Sequence, residues 1–260
     1  MSAWIPAPPP ESDPATTRTL PRMAANILCS AAVSAAASSY RAFRELTRLF
    51  ARRLGETTLA RVARFASLAI ALVTCAGIIG TRVAEGPLAP LSKMALSATR
   101  ASMWLVALAI ALAASHQRSL ADRKDGIELI ATSRGFDGAR LGGVRAAAAF
   151  SLSLRWMLVP AVGTTVAAMA GSGSLKVLLE RAAILGAVTI FCVLAAAVLG
   201  ALGAAADLLS ARRGRTVLLS ALVLSALVAE VARDPALSIT GGLLTAFKGL
   251  LYLAGAGKLA

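Results

Sequence analysis

His116-Gln117-Arg118-Ser119-Leu120-Ala121-Asp122-Arg123-Lys124-Asp125-Gly126-Ile127-Glu128-Leu129-Ile130-Ala131-Thr132-Ser133-Arg134-Gly135 lies between two long apolar runs. Seven of these twenty residues are charged, in a chain that is only 15% charged. A segment of this kind cannot remain in hydrocarbon, so it belongs at a membrane surface. The apolar runs on either side, about 20 residues with few charges, have the length of transmembrane helices.

Working outward, the same alternation recurs along the chain. Apolar segments cover roughly 66–83, 95–115, 141–170, 182–206 and 216–232, and a further one covers 237–256. The whole 260-residue chain is 57% hydrophobic with a mean hydropathy of +0.73, above the roughly 45–50% apolar content of soluble domains. Alternating segments of about ten residues, the mark of a membrane β-barrel, are not found. The fold class is all-α: a polytopic membrane protein of six transmembrane helices. The last segment carries Lys248 and several glycines, and reads as a sixth span or as a re-entrant pair. The third is interrupted by Arg155, Trp156 and Pro160, and proline inside a helix tends to kink it. An arginine at the centre of a span costs at least about 2.5–3.5 kcal/mol on insertion scales. Arg155 is therefore expected to face the bundle interior or a wet cavity, with Asp207 and Glu230 as candidate partners. Gly186, Gly200 and Gly203 read as helix-packing positions.

Before the first span the chain divides in two. Residues 1–21, with six prolines, read as a disordered cytoplasmic tail. Residues 22–64 read as helical, weakly apolar at first and then sharply amphipathic. Arg41, Arg44, Arg48 and Arg52 recur at three- and four-residue steps, and Phe43, Leu46, Phe50 and Leu54 recur on another face. A basic face opposite an apolar one suits a helix lying in the headgroup layer; packing on protein is the alternative. Residues 65–260 form the transmembrane domain.

The net charge of +14 follows the topology and does not indicate a nucleic-acid partner. With the N-terminus and the charged segment in the cytoplasm, nineteen Lys and Arg fall on the cytoplasmic side and six outside, as the positive-inside rule requires. Cys29, Cys75 and Cys192 are far apart, and His116 is the lone histidine. Their spacing indicates neither a metal site nor a disulfide framework. Nor do paired carboxylates or a Ser/His pair in the spans point to catalysis.

Within the charged segment, Leu120, Ile127, Ile130 and Ala131 form the apolar side of a helix, and Asp122, Arg123, Asp125 and Glu128 a polar side. Gly126 costs about 1 kcal/mol relative to Ala in mid-helix. It marks either a close approach of the backbone to a neighbour or a break between two short helices. Ser133-Arg134-Gly135 reads as a helix stop, with Gly135 as the capping glycine.

A span ending in small residues, then Leu120 to Ala131, then a basic turn and another span, resembles the ABC-2-type transporter permeases. The matching residues are Asp125-Gly126-Ile127-Glu128-Leu129-Ile130, with one residue fewer between Gly126 and Glu128 than that family shows. Within the family the chain is most similar to haem-exporter B-like membrane subunits, through Gly200-Ala201-Leu202-Gly203-Ala204-Ala205 and Arg212-Arg213-Gly214. The proline-rich ending of that type's fifth span is replaced by Ala226-Leu227-Val228-Ala229-Glu230, and the haem substrate is not carried over.

The resemblance implies a permease subunit of an ATP-driven exporter in a bacterial inner membrane, paired with a second copy of itself or a homologous permease. The segment 118–135 would be its coupling helix, seated on a separate cytoplasmic P-loop ATPase through Asp122, Arg123, Asp125, Gly126, Ile127, Glu128, Leu129, Ile130, Arg134 and Gly135. ATP and Mg would be bound by that partner, since these 260 residues contain no Gly-x-x-x-x-Gly-Lys-Ser/Thr sequence. Two other readings stand beside it. Ser133-Arg134-Gly135 is similar to the Ala-Arg-Gly-like motifs of transmembrane subunits of energy-coupling-factor importers for vitamins or metals. The chain could also be a non-transporting membrane anchor.

Overall fold

The computed structural model describes residues 40–83, 89–116, 118–133, 135–169 and 175–255. The proline-rich tail, residues 22–39 with Cys29, and the segments Glu85-Gly86-Pro87 and Gly171-Ser172-Gly173-Ser174, where the sequence reads as turns, lie outside them. The chain divides into two compact units, Met1–Leu46 and Thr47–Ala260. In the first, residues 40–46 are helical. The second begins with helical residues 47–55, here α1. There follow α2 (Thr58–Val83), α3 (Ala89–Ser102), a π-helical turn (Met103–Ala107), α4 (Leu108–Ala114), α5 (Arg118–Lys124) and α6 (Ile127–Ser133). The chain continues through α7 (Gly138–Met169), α8 (Leu175–Leu209), α9 (Gly214–Val231), a 3₁₀ turn (Pro235–Leu237) and α10 (Ile239–Leu253). No strand occurs among the described residues.

Five helical stretches are long and apolar enough to cross a membrane: Thr58–Gly80, Lys93–Ala114, Gly138–Ala167, Ala182–Leu209 and Gly214–Val231. They match the first five expected spans. The first begins earlier than its apolar run, because α2 continues as helix through Arg61 and Arg64. Among its described residues the sixth apolar segment contains one α-helix, α10, rather than the two legs of a re-entrant pair. Its 15 residues extend about 22 Å at 1.5 Å per residue, short of a hydrocarbon core of about 30 Å.

The centre of the helical bundle is the antiparallel pair α7 and α8. Small residues let the backbones meet. A Cβ on Gly200 would lie 3.0 Å from the Phe150 nitrogen, and one on Gly203 would lie 2.5 Å from the Ala111 carbonyl oxygen. Gly200 therefore seats α8 on α7, and Gly203 seats it on α4. Gly186 has nothing within 4 Å, so the packing role expected for it is not seen. The core is correspondingly fine-grained, with Ala111, Ala149, Ala195 and Ala196 among its fully buried members. Phe191 on α8 and Phe247 on α10 stack with ring centres 4.3 Å apart, which fixes the last helix to the bundle.

α2 runs parallel to α7 in a constant register. Ser67 lies beside Trp156 and Ile78 beside Ala167. Pro160 sits inside α7 without ending it. Having no N–H, it leaves the carbonyl of Trp156 without a helical donor, and the Ser67 hydroxyl donates to that carbonyl at 2.6 Å. Thr165 Oγ1 donates back to the Ala161 carbonyl at 2.6 Å, adding a side-chain bond in the next turn.

The second apolar segment is not a uniform helix. Its middle winds as a π turn over Met103–Ala107, a feature that tends to occur at functional positions. Met103, Val106 and Ala107 are buried there, and Trp104 points outward.

Candidate functional site

The charged segment folds as two short helices that meet at Gly126. The sequence allows a close approach or a break, and the break is what occurs. Gly126 has φ +69°, and a Cβ added to it would meet nothing within 4 Å. Its left-handed conformation ends α5 as an αL cap, with the Gly126 N–H donating to the Arg123 carbonyl at 3.1 Å. At the far end Gly135, φ +79°, closes α6. The Gly135 N–H donates to the Thr132 carbonyl and the Phe136 N–H to the Ala131 carbonyl, each at 3.0 Å. That pair of bonds is a Schellman motif, in keeping with the capping role the sequence predicts for Gly135. The side chain of Arg134 lies outside the described residues.

Asp122 departs from its expected place. The sequence puts it on the polar, partner-facing side, but it is only 2% exposed. Arg145, on the second turn of α7 and 7% exposed, donates from Nε at 3.1 Å and Nη2 at 2.9 Å to Asp122 Oδ2. Arg53 of α1 donates from Nη1 to Asp122 Oδ1 at 3.2 Å. Arg53 Nη2 also pairs with Asp125. One carboxylate thus binds α1, α5 and α7 together. The physical reason is that two arginines next to apolar helices need a counter-charge, and a buried carboxylate with both oxygens engaged supplies it. A cavity of about 20 Å³, room for about one water, adjoins the cluster and is lined in part by Phe50, Leu54, Asp122 and Arg145.

The other end of α5 is held as firmly. Asp207, at the C-terminal end of α8 and 1% exposed, accepts the backbone N–H of Ser119 at 2.8 Å. A carboxylate there satisfies a first-turn N–H and opposes the positive end of the helix. Asp207 is therefore an anchor for α5 and not a counter-ion for Arg155. Of the two surroundings expected for Arg155, the bundle interior is not the one found: it is exposed on α7, with its guanidinium carbon 5.7 Å from the centre of the Trp156 ring. The reason is helical phase. Ser153, Met157, Pro160 and Ala161 form the buried stripe of α7, and position 155 falls between its turns. Glu230 is exposed on α9.

What faces outward from the two short helices is a mixed surface. Arg123 Nε pairs with Glu128 Oε2 at 2.7 Å across the Gly126 break. Next to it Leu129 is 75% and Ile130 53% exposed. The sequence sets Ile130 with Ala131 on the apolar side; only Ala131 is buried, and Leu120 and Ile127 are half-buried. Two large apolar side chains thus project side by side from a rigidly tethered element.

In the amphipathic helix, Arg41, Phe43, Arg44 and Leu46 lie on the helical residues 40–46. Arg48 and Arg52 in α1 are exposed, while Phe50 and Leu54 are buried. Phe50 lies under the Arg145 guanidinium, 5.7 Å from ring centre to Cζ. At these residues the apolar face packs on protein, the alternative that the sequence allows.

Arg53 and Arg145 escape sequence reasoning as site residues. Their one signal is the excess of arginine next to apolar helices, which has no local pattern. Among the described residues no group of three or more His, Cys, Asp or Glu converges as a metal site would need. Comparison with protein-family models, with curated proteins and with solved structures finds no match for this chain.

Proposed function

We propose that this chain is the membrane-spanning permease subunit of an ATP-driven exporter, and that a separate cytoplasmic P-loop ATPase docks on α5 and α6. The observation that carries this reading is the pairing of an exposed apolar tip, Leu129 and Ile130, with a buried ionic tether from Asp122 to Arg145. A tip that only touched water would have no need of two large apolar side chains, and a loop that only linked two spans would have no need of a buried carboxylate. Together they form a part that a partner can grip and that moves α7 when it moves. Such transmission is rigid-body motion between two packed states.

In this reading the apolar segment 237–256, with α10 at its centre, makes the sixth crossing, the N-terminus and α5–α6 lie in the cytoplasm of a bacterial cell, and the amphipathic helix rests at the inner-membrane surface. Two copies of the chain, or this chain and a homologous permease, enclose the transport path. ATP and Mg are bound by the partner alone. The resemblance of Asp125-Gly126-Ile127-Glu128-Leu129-Ile130 to the ABC-2 pattern supports the class.

The test is co-purification from the native membrane. A P-loop ATPase should accompany the wild-type chain and be lost from Leu129→Asp plus Ile130→Asp, with the variant still folded by its thermal transition. Equal ATPase recovery with both proteins would end the docking assignment.

A further inference from the structure

A set of hydrogen-bond donors without acceptors surrounds Trp156. The Arg64 guanidinium carbon lies 5.6 Å from the centre of the Trp156 ring, and that of Arg155 lies 5.7 Å from it. Neither arginine forms an ion pair with a carboxylate among the described residues. Arg64 Nε, Trp156 Nε1 and Ser153 Oγ are buried and have no hydrogen-bond partner.

Buried polar groups in folded proteins are nearly always paired, so a cluster of orphans calls for an explanation. Here the orphans beside the Trp156 ring are the guanidinium N–H of Arg64 and the indole N–H, and Arg155 adds a second positive charge that has no carboxylate partner among the described residues. The ligand that satisfies such a set is an anion made of acceptor oxygens. A guanidinium fork fits phosphate in particular, through parallel N–H bonds to two oxygens.

Depth narrows the source. A Cβ on Gly55 would collide with the Arg64 guanidinium, so the head of that side chain lies at the start of α2, beside the residues that precede the span. Indole and arginine groups concentrate at this level of a bilayer, where headgroups meet hydrocarbon. From this geometry we infer that Arg64, Arg155 and Trp156 form a binding site for the phosphate of an anionic phospholipid. The two arginines compensate the charge, the indole donates to a phosphate oxygen, and the acyl chains run along the exposed apolar side of α2, where Phe65, Leu68 and Leu72 face outward.

The experiment uses the full chain with Trp4→Phe and Trp104→Phe, leaving Trp156 as the fluorophore, in phosphatidylcholine nanodiscs. Brominated phosphatidylglycerol or brominated phosphatidylcholine is added at equal fractions. Phosphatidylglycerol is expected to quench Trp156 several-fold more strongly. Arg64→Gln plus Arg155→Gln should abolish the excess, and Arg155→Gln alone should reduce it. A reference protein with Trp4→Phe and Trp156→Phe, reporting from Trp104, should show no preference. Equal quenching of Trp156 by the two lipids, or the same excess at Trp104, overturns the site, and neither result depends on an arginine variant that folds. Loss of the Trp156 excess on adding inorganic phosphate, with Trp104 unaffected, would give the site to a soluble anion and overturn the lipid assignment.

Discussion

The hydroxyl of Ser67 and the carbonyl of Trp156 meet at 2.6 Å between two parallel helices, at the one backbone position in α7 that Pro160 deprives of its donor. Proline in a span is tolerated when a neighbouring helix satisfies the freed carbonyl, and here the donor can be named. Ser67→Ala should cost about 1 kcal/mol, within the range measured for interhelical hydrogen bonds in membranes. In a Pro160→Ala background the Trp156 carbonyl regains a helical N–H, so the same Ser67→Ala change should cost close to nothing. Unfolding of the four proteins in mixed micelles measures the difference. Equal costs in the two backgrounds would mean that the hydroxyl does not compensate for the proline.

Two of the ion pairs made by the charged segment, Arg123–Glu128 and Arg145–Asp122, should behave in opposite ways. Arg123 is exposed to solvent and Glu128 partly so, and a surface pair contributes about 0–1 kcal/mol; Arg123→Ala should leave the thermal transition almost unchanged. Asp122 and Arg145 are buried, and removing one partner strands the other charge at a cost of about 3–5 kcal/mol. Asp122→Ala should therefore destabilise strongly. Asp122→Leu combined with Arg145→Met should recover most of the loss, because it removes both charges at once. Denaturation of the single and double variants in detergent checks the order.

Glycines in α8 separate in the same manner. A side chain on Gly203 meets the Ala111 backbone, whereas Gly186 faces open space. Replacing glycine by alanine in mid-helix gains up to about 1 kcal/mol from propensity alone. Gly186→Ala should accordingly be neutral or stabilising. Gly203→Ala must push α4 away from α8, and overpacking of this kind costs about 1–3 kcal/mol. A fall in transition temperature for Gly203→Ala with none for Gly186→Ala is the expected pattern.

The contrast between these residues also explains what can be read from sequence. Apolar segments of span length, the helix stop at Gly135 and the break at Gly126 are local signals, because length, polarity and backbone freedom are properties of neighbouring residues. The tether is not local: Arg53 and Asp122 are 69 residues apart, and Arg145 and Asp122 are 23 apart. An aspartate in a charged stretch looks solvated until helices from elsewhere bring arginines to it, and for this reason sequence alone turns Asp122 outward. The π turn at Met103–Ala107 carries no glycine or proline to mark it. Sequence alone points Arg155 to the bundle interior or a wet cavity, on the ground that a charge in a span needs polar surroundings, while the phase of α7 is set by Ser153, Met157 and Ala161.

Docking and transmission should be separable, because they reside in different side chains. Leu129 and Ile130 are exposed and offer the surface a partner would cover, whereas Arg145 is buried beneath α5 and holds the buried Asp122. Arg145→Gln keeps a donor toward Asp122 but removes the charge, which loosens the link from α5 to α7 and leaves the apolar tip unaltered. In the proposed complex this variant should retain ATPase association. The coupling between nucleotide state and transport should weaken by about 5–150-fold, the span of coupling free energies of about 1–3 kcal/mol. Pull-down of the ATPase, together with ATP-dependent efflux from vesicles by the complex, distinguishes the two effects. Loss of association in Arg145→Gln would show that the ionic tether shapes the docking surface itself; unchanged efflux would show that force reaches α7 by another route, such as the Ser119 to Asp207 anchor on α8.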